Sequence, residues 1–382
     1  MDAITAQQER RKTNPVFNDR KLKLGTFGTN LDRGCAISTI DGVLEINWPN
    51  TLELARTSEE MEFEALVPIG RWHGFGGVTN FNGPGFECFS WAAAIGASTH
   101  YSGIFATSHV PTIHPVMAAK QAATIDHVTG GRFALNIVTG WNRPEIEMFG
   151  SPLMEHDDRY NCAIEWLHVM KELWTRDEPF DFEGRFYNIK KGYLEPKPIQ
   201  RPFPAVMNAG GSERGQHFAA KYCDMVYVVF GSHDFDECKA KVDSYRELAR
   251  KEYGREIQVW SYAYLVQGET EKEAQDYFKE YVRQGRLGCR HQPRRHHDRQ
   301  RQDAAAAGAG RDEEAFHRRL GRLSADRHAR TDRGWAWPDV EDGARRHAVE
   351  LAALCRGPAL VPRSRLSAGG AGRAAVSAVP SS

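Results

Sequence analysis

Asn136 stands inside the apolar run RFALNIVTG (132–140). A carboxamide buried there without partners costs roughly a few kcal/mol, so it calls for a polar neighbour. A ligand ring edge carrying both a donor and an acceptor would serve. Two further features suit an anion. Gly210-Gly211-Ser212 opens the helical pattern SERGQHFAAKY, where free N–H groups and a hydroxyl can face a phosphate. Arg159, in the first turn of another helical pattern, offers a guanidinium fork matched to phosphate oxygens. Each has a plainer alternative, a Ser-capped helix start for the first and a surface arginine for the second. Thr107 and His109 end the run SGIFATSH (102–109), polar residues at a strand end where a bound molecule would meet them. A histidine satisfied by the backbone is the alternative for His109. His156, ahead of Asp157 and Asp158, is read as a helix-start residue.

These residues need elements that bring them to one place. Apolar runs at LKLGTF (22–27), ALVPIG (65–70), SGIFATSH (102–109), RFALNIVTG (132–140), AVMNAGG (205–211), DMVYVVFG (224–231) and IQVWSYAYLVQ (257–267) read as strands. Helical patterns fill the intervals, at 50–63, 87–98, 114–129 and 158–176 and after each of the last three strands. Continuous apolar strands separated by helices imply a parallel sheet covered on both faces. Seven units over about 250 residues fit a (β/α)8 barrel, and GTNLDRG after the first strand is not the Gly-rich fingerprint of a dinucleotide-binding sheet. In a barrel the strand ends Gly70-Arg71, Thr107 to His109, Asn136 with TGWNRPE, and Asn208 to Ser212 share one mouth. Trp72, Phe75, Phe81 and Trp141 lie in loops there and either wall off water or pack on their own loops.

Composition excludes several classes. There is no HxH pair after the first strand, no GxxxxGK[ST] and no GxSxG. Seven scattered cysteines without a CxxC pair suggest reduced thiols, and no apolar run approaches the ~20 residues of a membrane helix. A cytoplasmic protein with no membrane or nucleic-acid partner is expected. The formal net charge of zero hides an unusual tail. The 94 residues from Cys289 onward hold 18 Arg and 19 Ala but no Lys, Ile, Asn, Tyr or Met. That composition fits a GC-rich gene read out of frame, with a natural basic disordered tail or a nucleic-acid-binding tail as alternatives. Cys289, His291, His296 and His297 lack a second half of spaced ligands, so no metal site is expected. The chain thus divides into an arm (1–21), a barrel domain (22–287) whose eighth unit is missing, and an atypical tail (288–382).

The stretch AATIDHVTGGRFALNIVTGWNRPEIEMFG (122–150), followed by EHDDRY (155–160), resembles the bacterial luciferase-like flavin monooxygenases. RWHGFGGVTNF (71–81) is similar to the pyrimidine ring-opening branch. LMEHDDRY and EPKPIQRPFP (195–204) are similar to the dimethyl sulfone and alkanesulfonate branch. The resemblance implies a TIM barrel, FMN used as FMNH2 and delivered by an NAD(P)H-dependent flavin reductase, and insertion of one oxygen atom from O2 into a small-molecule substrate. It implies cofactor contacts at Gly70, Arg71, Asn136, Glu145, Arg159, Tyr160 and Ser212, with Thr107, His109 and Asn136 facing the chemistry. Glu145 rests on the resemblance alone, since the residues by themselves suggest a solvated loop carboxylate. A homo-oligomer is expected. A deazaflavin-dependent oxidoreductase of the same superfamily and an inactive frameshift product are the alternatives.

Overall fold

The computed structural model describes residues 3–232, 234–290 and 349–351. Seven strands fall where the apolar runs predict them: β1 (Gly25–Phe27), β2 (Ala65–Val67), β3 (Gly103–His109), β4 (Phe133–Val138), β7 (Ala205–Asn208), β8 (Met225–Tyr227) and β9 (Gln258–Ser261). All neighbouring pairs are parallel, in the sequential order β1-β2-β3-β4-β7-β8-β9. An order that never reverses belongs to a barrel rather than a doubly wound sheet.

The sheet curls. Phe27 of β1 stacks on Tyr227 of β8 with ring centroids 5.0 Å apart, although several strands separate them along the sheet. One interior cluster draws side chains from all seven strands, including Phe27, Val67, Phe105, Ala134, Met207, Tyr227 and Trp260. An eighth strand, β10 (Val349–Leu351), pairs parallel with β9. The sequence offers no recognisable strand there, because VEL lies in Arg/Ala-rich surroundings with no apolar run. Among the described residues β10 shares no ladder with β1, so the barrel lacks its closing part. The expected domain boundary at 287/288 falls inside a helix that continues to Arg290. The remaining expectations for the tail, including the Cys289–His297 cluster, lie outside the described residues or side chains.

Helices α2 (Trp48–Glu60), α3 (Cys88–Ala97), α4 (Pro115–Val128), α6 (His156–Thr175), α7 (Glu213–Tyr222), α8 (Phe235–Tyr253) and α9 (Glu271–Arg290) follow the strands. Trp91 on α3 and Trp166 and Trp174 on α6 are wholly buried in the layer between helices and sheet. Burying each is worth about 1.5–3 kcal/mol only because its indole N–H keeps a partner. Trp91 donates to Thr51 Oγ1 at 3.0 Å, Trp166 to the Ile113 carbonyl at 2.9 Å and Trp174 to the Ala119 carbonyl at 3.0 Å. These bonds pin α6, and with it the residues opening that helix.

Three elements depart from the sequence reading. The expected arm holds α1 (Ala3–Arg11), whose buried Arg10 pairs with Asp224 at 2.8 Å and donates to the Phe203 carbonyl. A short helix, α5 (Arg143–Met148), occupies part of the expected loop after β4. An antiparallel hairpin, β5 (Phe180–Glu183) with β6 (Asn188–Gly192), interrupts the expected unbroken repeat between α6 and β7. No helix among the described residues is long and apolar enough to cross a membrane.

Candidate functional site

The C-terminal ends of β2, β3 and β4 meet around a cavity of about 210 Å³ lined by Gly70, Arg71, Thr107, His109, Asn136 and Trp141, with Phe27 and Tyr227 behind. Six of the sequence-predicted positions are therefore adjacent or close to one space. Thr107 Oγ1 donates to the Pro68 carbonyl at 2.5 Å and accepts from Asn136 Nδ2 at 3.1 Å. That relay fixes the carboxamide of Asn136, a residue of the cavity wall, whose Oδ1 is buried without a hydrogen-bond partner. The need for a polar partner inferred from the sequence is thus half met, by Thr107, and half left for something else.

His109 is buried, and its Nδ1 likewise has no hydrogen-bond partner, which rules out the backbone-satisfied alternative for that nitrogen. Burial lowers its pKa from 6.5 to about 4, outweighing the opposing pull of Glu145, so the ring is neutral at physiological pH. A Cβ added at Gly70 would lie 3.1 Å from His109 Cε1 and 3.2 Å from Thr107 Cγ2. The missing side chain is what lets the end of β2 approach β3 so closely. Asn30 holds that end in place, accepting from Ile69 N at 2.8 Å and donating to the Ile69 carbonyl at 3.0 Å.

Glu145 corrects the reading of a solvated loop carboxylate. On α5 its side chain is 1% exposed. It accepts from Trp72 N at 2.7 Å and His73 N at 3.2 Å and pairs with Arg71 Nη1 at 3.3 Å. Arg71 in turn lies over Phe75 and Trp141, 4.8 Å and 5.2 Å from the ring centroids, while Phe75 stacks on Phe81 and Trp141. The mouth aromatics thus pack on one another and on Arg71, forming a wall rather than separate loop contacts. Trp72 stands edge-on to Phe149.

A second group of predicted residues gathers where α6 begins beside α7. Ser212 caps α7, its Oγ accepting from Gly215 N at 3.2 Å. The Tyr160 hydroxyl is hydrogen-bonded to the Ser212 and Thr139 side chains, and burial raises its pKa. Gly210 and Gly215 permit this fit, since a Cβ on Gly215 would lie 2.5 Å from the Tyr160 hydroxyl and 2.7 Å from Gly210 Cα. Arg159 is buried and donates through Nη1 to the Gly140 carbonyl at 2.6 Å, while its Nε has no hydrogen-bond partner. Among the described residues no carboxylate pairs with it. Burial pushes its pKa down against the weaker opposing pull of Tyr160 and Glu155, yet a guanidinium stays charged, so the group is a desolvated cation in contact with no carboxylate among the described residues.

His156 was not recognised as a site residue from sequence. Its Nε2 lies 3.1 Å from Ser212 Oγ and its Nδ1 2.9 Å from Asp157 Oδ1. The EHDDRY motif placed it near Arg159, but its partner is 56 residues away. No cluster of three or more potential metal ligands occurs among the described residues.

A sequence model of the family described as Luciferase-like monooxygenase matches residues 31–341. The FMNH(2)-dependent dimethylsulfone monooxygenase of Pseudomonas putida is 31% identical over 262 residues, 68% of this chain and 70% of that protein. Pyrimidine monooxygenase RutA of a Bradyrhizobium species is 29% identical over 264 residues, 68% of this chain and 72% of that one. Among solved structures, EDTA monooxygenase (EmoA) from Chelativorans sp. BNC1 superposes with a TM-score of 0.63 at 23% identity, covering 71% of each chain. That last likeness concerns the fold.

Proposed function

The chain belongs to the luciferase-like monooxygenase family, and on that premise we propose that it binds FMNH2 and uses O2 to oxidise a small heteroatom-containing compound such as a pyrimidine, sulfone or sulfonate. Reduced flavin comes from a separate NAD(P)H-dependent reductase, in the cytoplasm. The working unit is the barrel of residues 22–287, with 1–21 as an arm and 288–382 as an appended tail.

The observation that carries this reading is the buried guanidinium of Arg159, in no ion pair among the described residues, next in the chain to Tyr160, whose hydroxyl bonds the Ser212 cap of α7. Arg159, the α7 N-terminus capped by Ser212, and Tyr160 would hold the cofactor phosphate, whose negative charge would offset the buried guanidinium. Asn136, its carboxamide oriented by Thr107, would take an N–H of the ring edge on Oδ1. Gly70 leaves room for close approach of the ring to the end of β2. Arg71, fixed by Glu145, presents its cation at the cavity wall.

When bound, reduced flavin supplies the electrons that activate O2 for insertion of one oxygen atom. The chain's own contribution is position and dryness. Phe75, Phe81 and Trp141 exclude water from the mouth, and the neutral His109 ring offers a hydrogen bond without adding a proton source. Supplying chemically produced FMNH2 in air tests the reading. Substrate should be consumed with FMNH2 and not with NADH or NADPH alone, and consumption with NADPH alone would overturn it.

A further inference from the structure

Residues 71–86 lie between β2 and α3, and their middle part is closed on itself. Phe75 N donates to the Phe81 carbonyl at 3.1 Å, Gly83 N to the Asn80 carbonyl at 2.8 Å and Gly76 N to Asn80 Oδ1 at 3.2 Å. The Phe75 and Phe81 rings stack 5.8 Å apart. At the neck the two legs of the loop touch, since a Cβ on Gly74 would lie 2.5 Å from Gly83 Cα. A loop whose ends adjoin and whose side chains pack on one another is a compact body rather than a slack connection.

The two legs are held in different ways. The second is bonded backbone to backbone to the segment after β1, with Asp32 N on the Pro84 carbonyl at 2.9 Å and Phe86 N on the Asn30 carbonyl at 2.9 Å. Asn82 Nδ2 adds a bond to the Gly34 carbonyl at 2.8 Å. The amides of the first leg go instead to one side-chain oxygen. Trp72 N and His73 N both donate to Glu145 Oε1, while Oε2 of the same carboxylate pairs with Arg71. Glu145 belongs to α5, and Phe149, the C-cap of that helix, meets Trp72 edge-on. One short helix therefore clasps the first leg, chiefly through a single carboxylate.

The clasped residues belong to cavity walls. Arg71 and Trp141 line the cavity of about 210 Å³, and Phe75 stacks on both. Trp72 lines a second cavity of about 270 Å³, which shares Thr107 and His109 with the first. Release of the Glu145 contacts frees the first leg and draws Arg71, Trp72 and Phe75 away from these walls. The backbone bonds of the second leg survive that release and act as the hinge.

We infer that residues 72–83 form a lid over both cavities, hinged on the leg 82–86 and latched by Glu145. Glu145 is then a positioning residue that acts through the loop. Its carboxylate is 1% exposed and already serves three donors, so it has no surface left to touch a cofactor. The flavin monooxygenase reading supplies only the identity of what passes the lid.

Hydrogen exchange of the full-length, flavin-free protein tests the motion. In Glu145→Gln the Trp72 and His73 amides should exchange roughly tenfold faster than in the wild type, as weakening one hydrogen bond to a charged group allows. The Phe75 and Gly83 amides, bonded inside the lid, should keep their protection, because a lid that swings as a body does not unfold. Equal quickening of all four amides, or no quickening at Trp72 and His73, would overturn the inference. Should Glu145→Gln fail to fold, the same pattern is required of Trp141→Ala, which removes the ring under Phe75 and Arg71 and keeps the carboxylate. Stopped-flow mixing with FMN then tests the gate. Loss of a latch speeds entry and exit alike, so in Glu145→Gln both rates should rise roughly tenfold with affinity little changed. Faster dissociation alone would mean that Glu145 touches the cofactor, and would overturn its role as latch. A wild-type chain that binds no FMN would sink the flavin reading, and the exchange pattern would by itself decide the lid.

Discussion

Replacing Arg159 by Met should move cofactor affinity and stability in opposite directions. The guanidinium is buried, makes one 2.6 Å bond to the Gly140 carbonyl, and faces no carboxylate among the described residues. If its task is to hold a phosphate, removing it deletes a charge-assisted hydrogen bond worth about 1.5–3 kcal/mol. At about 1.4 kcal/mol per tenfold, FMN should bind roughly 10- to 150-fold more weakly. Riboflavin, which lacks the phosphate, should lose little, so the preference for FMN over riboflavin collapses. The flavin-free protein should meanwhile be no less stable and up to a few kcal/mol more so, because Met fills similar space without an uncompensated buried cation. Flavin fluorescence titrations with both ligands and thermal unfolding of the flavin-free protein read the three quantities. An unchanged FMN-to-riboflavin ratio would refute the phosphate assignment. A variant that loses stability by several kcal/mol would show that Arg159 serves the fold through Gly140.

Three further outcomes follow from the geometry. Unfolded His109 takes up its proton near pH 6.5 and the folded residue only near pH 4, so between those values the unfolded state binds more protons. Stability should therefore rise from pH 4 to 6.5, by at most about 3 kcal/mol from this group, and His109→Phe should flatten that part of the unfolding profile; an unchanged slope would place the acid sensitivity elsewhere. Glu145→Gln should cost about 3 kcal/mol, since it breaks the buried pair with Arg71 and weakens the acceptor for Trp72 and His73; hydrogen exchange should quicken at those two amides, and protection equal to wild type would show the carboxylate is dispensable. Gly215→Ala should displace the start of α7 against Tyr160 and Gly210, costing about 1–3 kcal/mol and weakening FMN but not riboflavin; full FMN affinity would remove the α7 cap from the phosphate site.

The seven barrel strands were legible because parallel strands covered on both faces must be apolar throughout, as in FALNIV of β4, which leaves a run with no alternation to misread. The β5–β6 hairpin was not legible. Its strands FDFE and NIKKG are short and largely exposed, with only partial apolar patterning. α5 was hidden because WNRPE, with Pro144, reads as loop, whereas a proline in the first turn is compatible with a helix. In the site, Asn136 and Ser212 announced themselves by type and place, a carboxamide in an apolar strand and a hydroxyl at a helix start. Glu145 and His156 did not, since what defines them is their partners. Glu145 reaches back 72 and 73 residues to the His73 and Trp72 amides, and His156 forward 56 residues to Ser212. Such pairings are set by the curl of the sheet, which no local pattern encodes.

Turnover of the full chain with FMNH2 under isotopically labelled O2 tests the monooxygenase assignment most directly. One labelled oxygen atom should appear in the organic product for each FMNH2 oxidised productively, and none should appear when flavin is omitted. A product formed without label, or formed with NADPH alone, would contradict it.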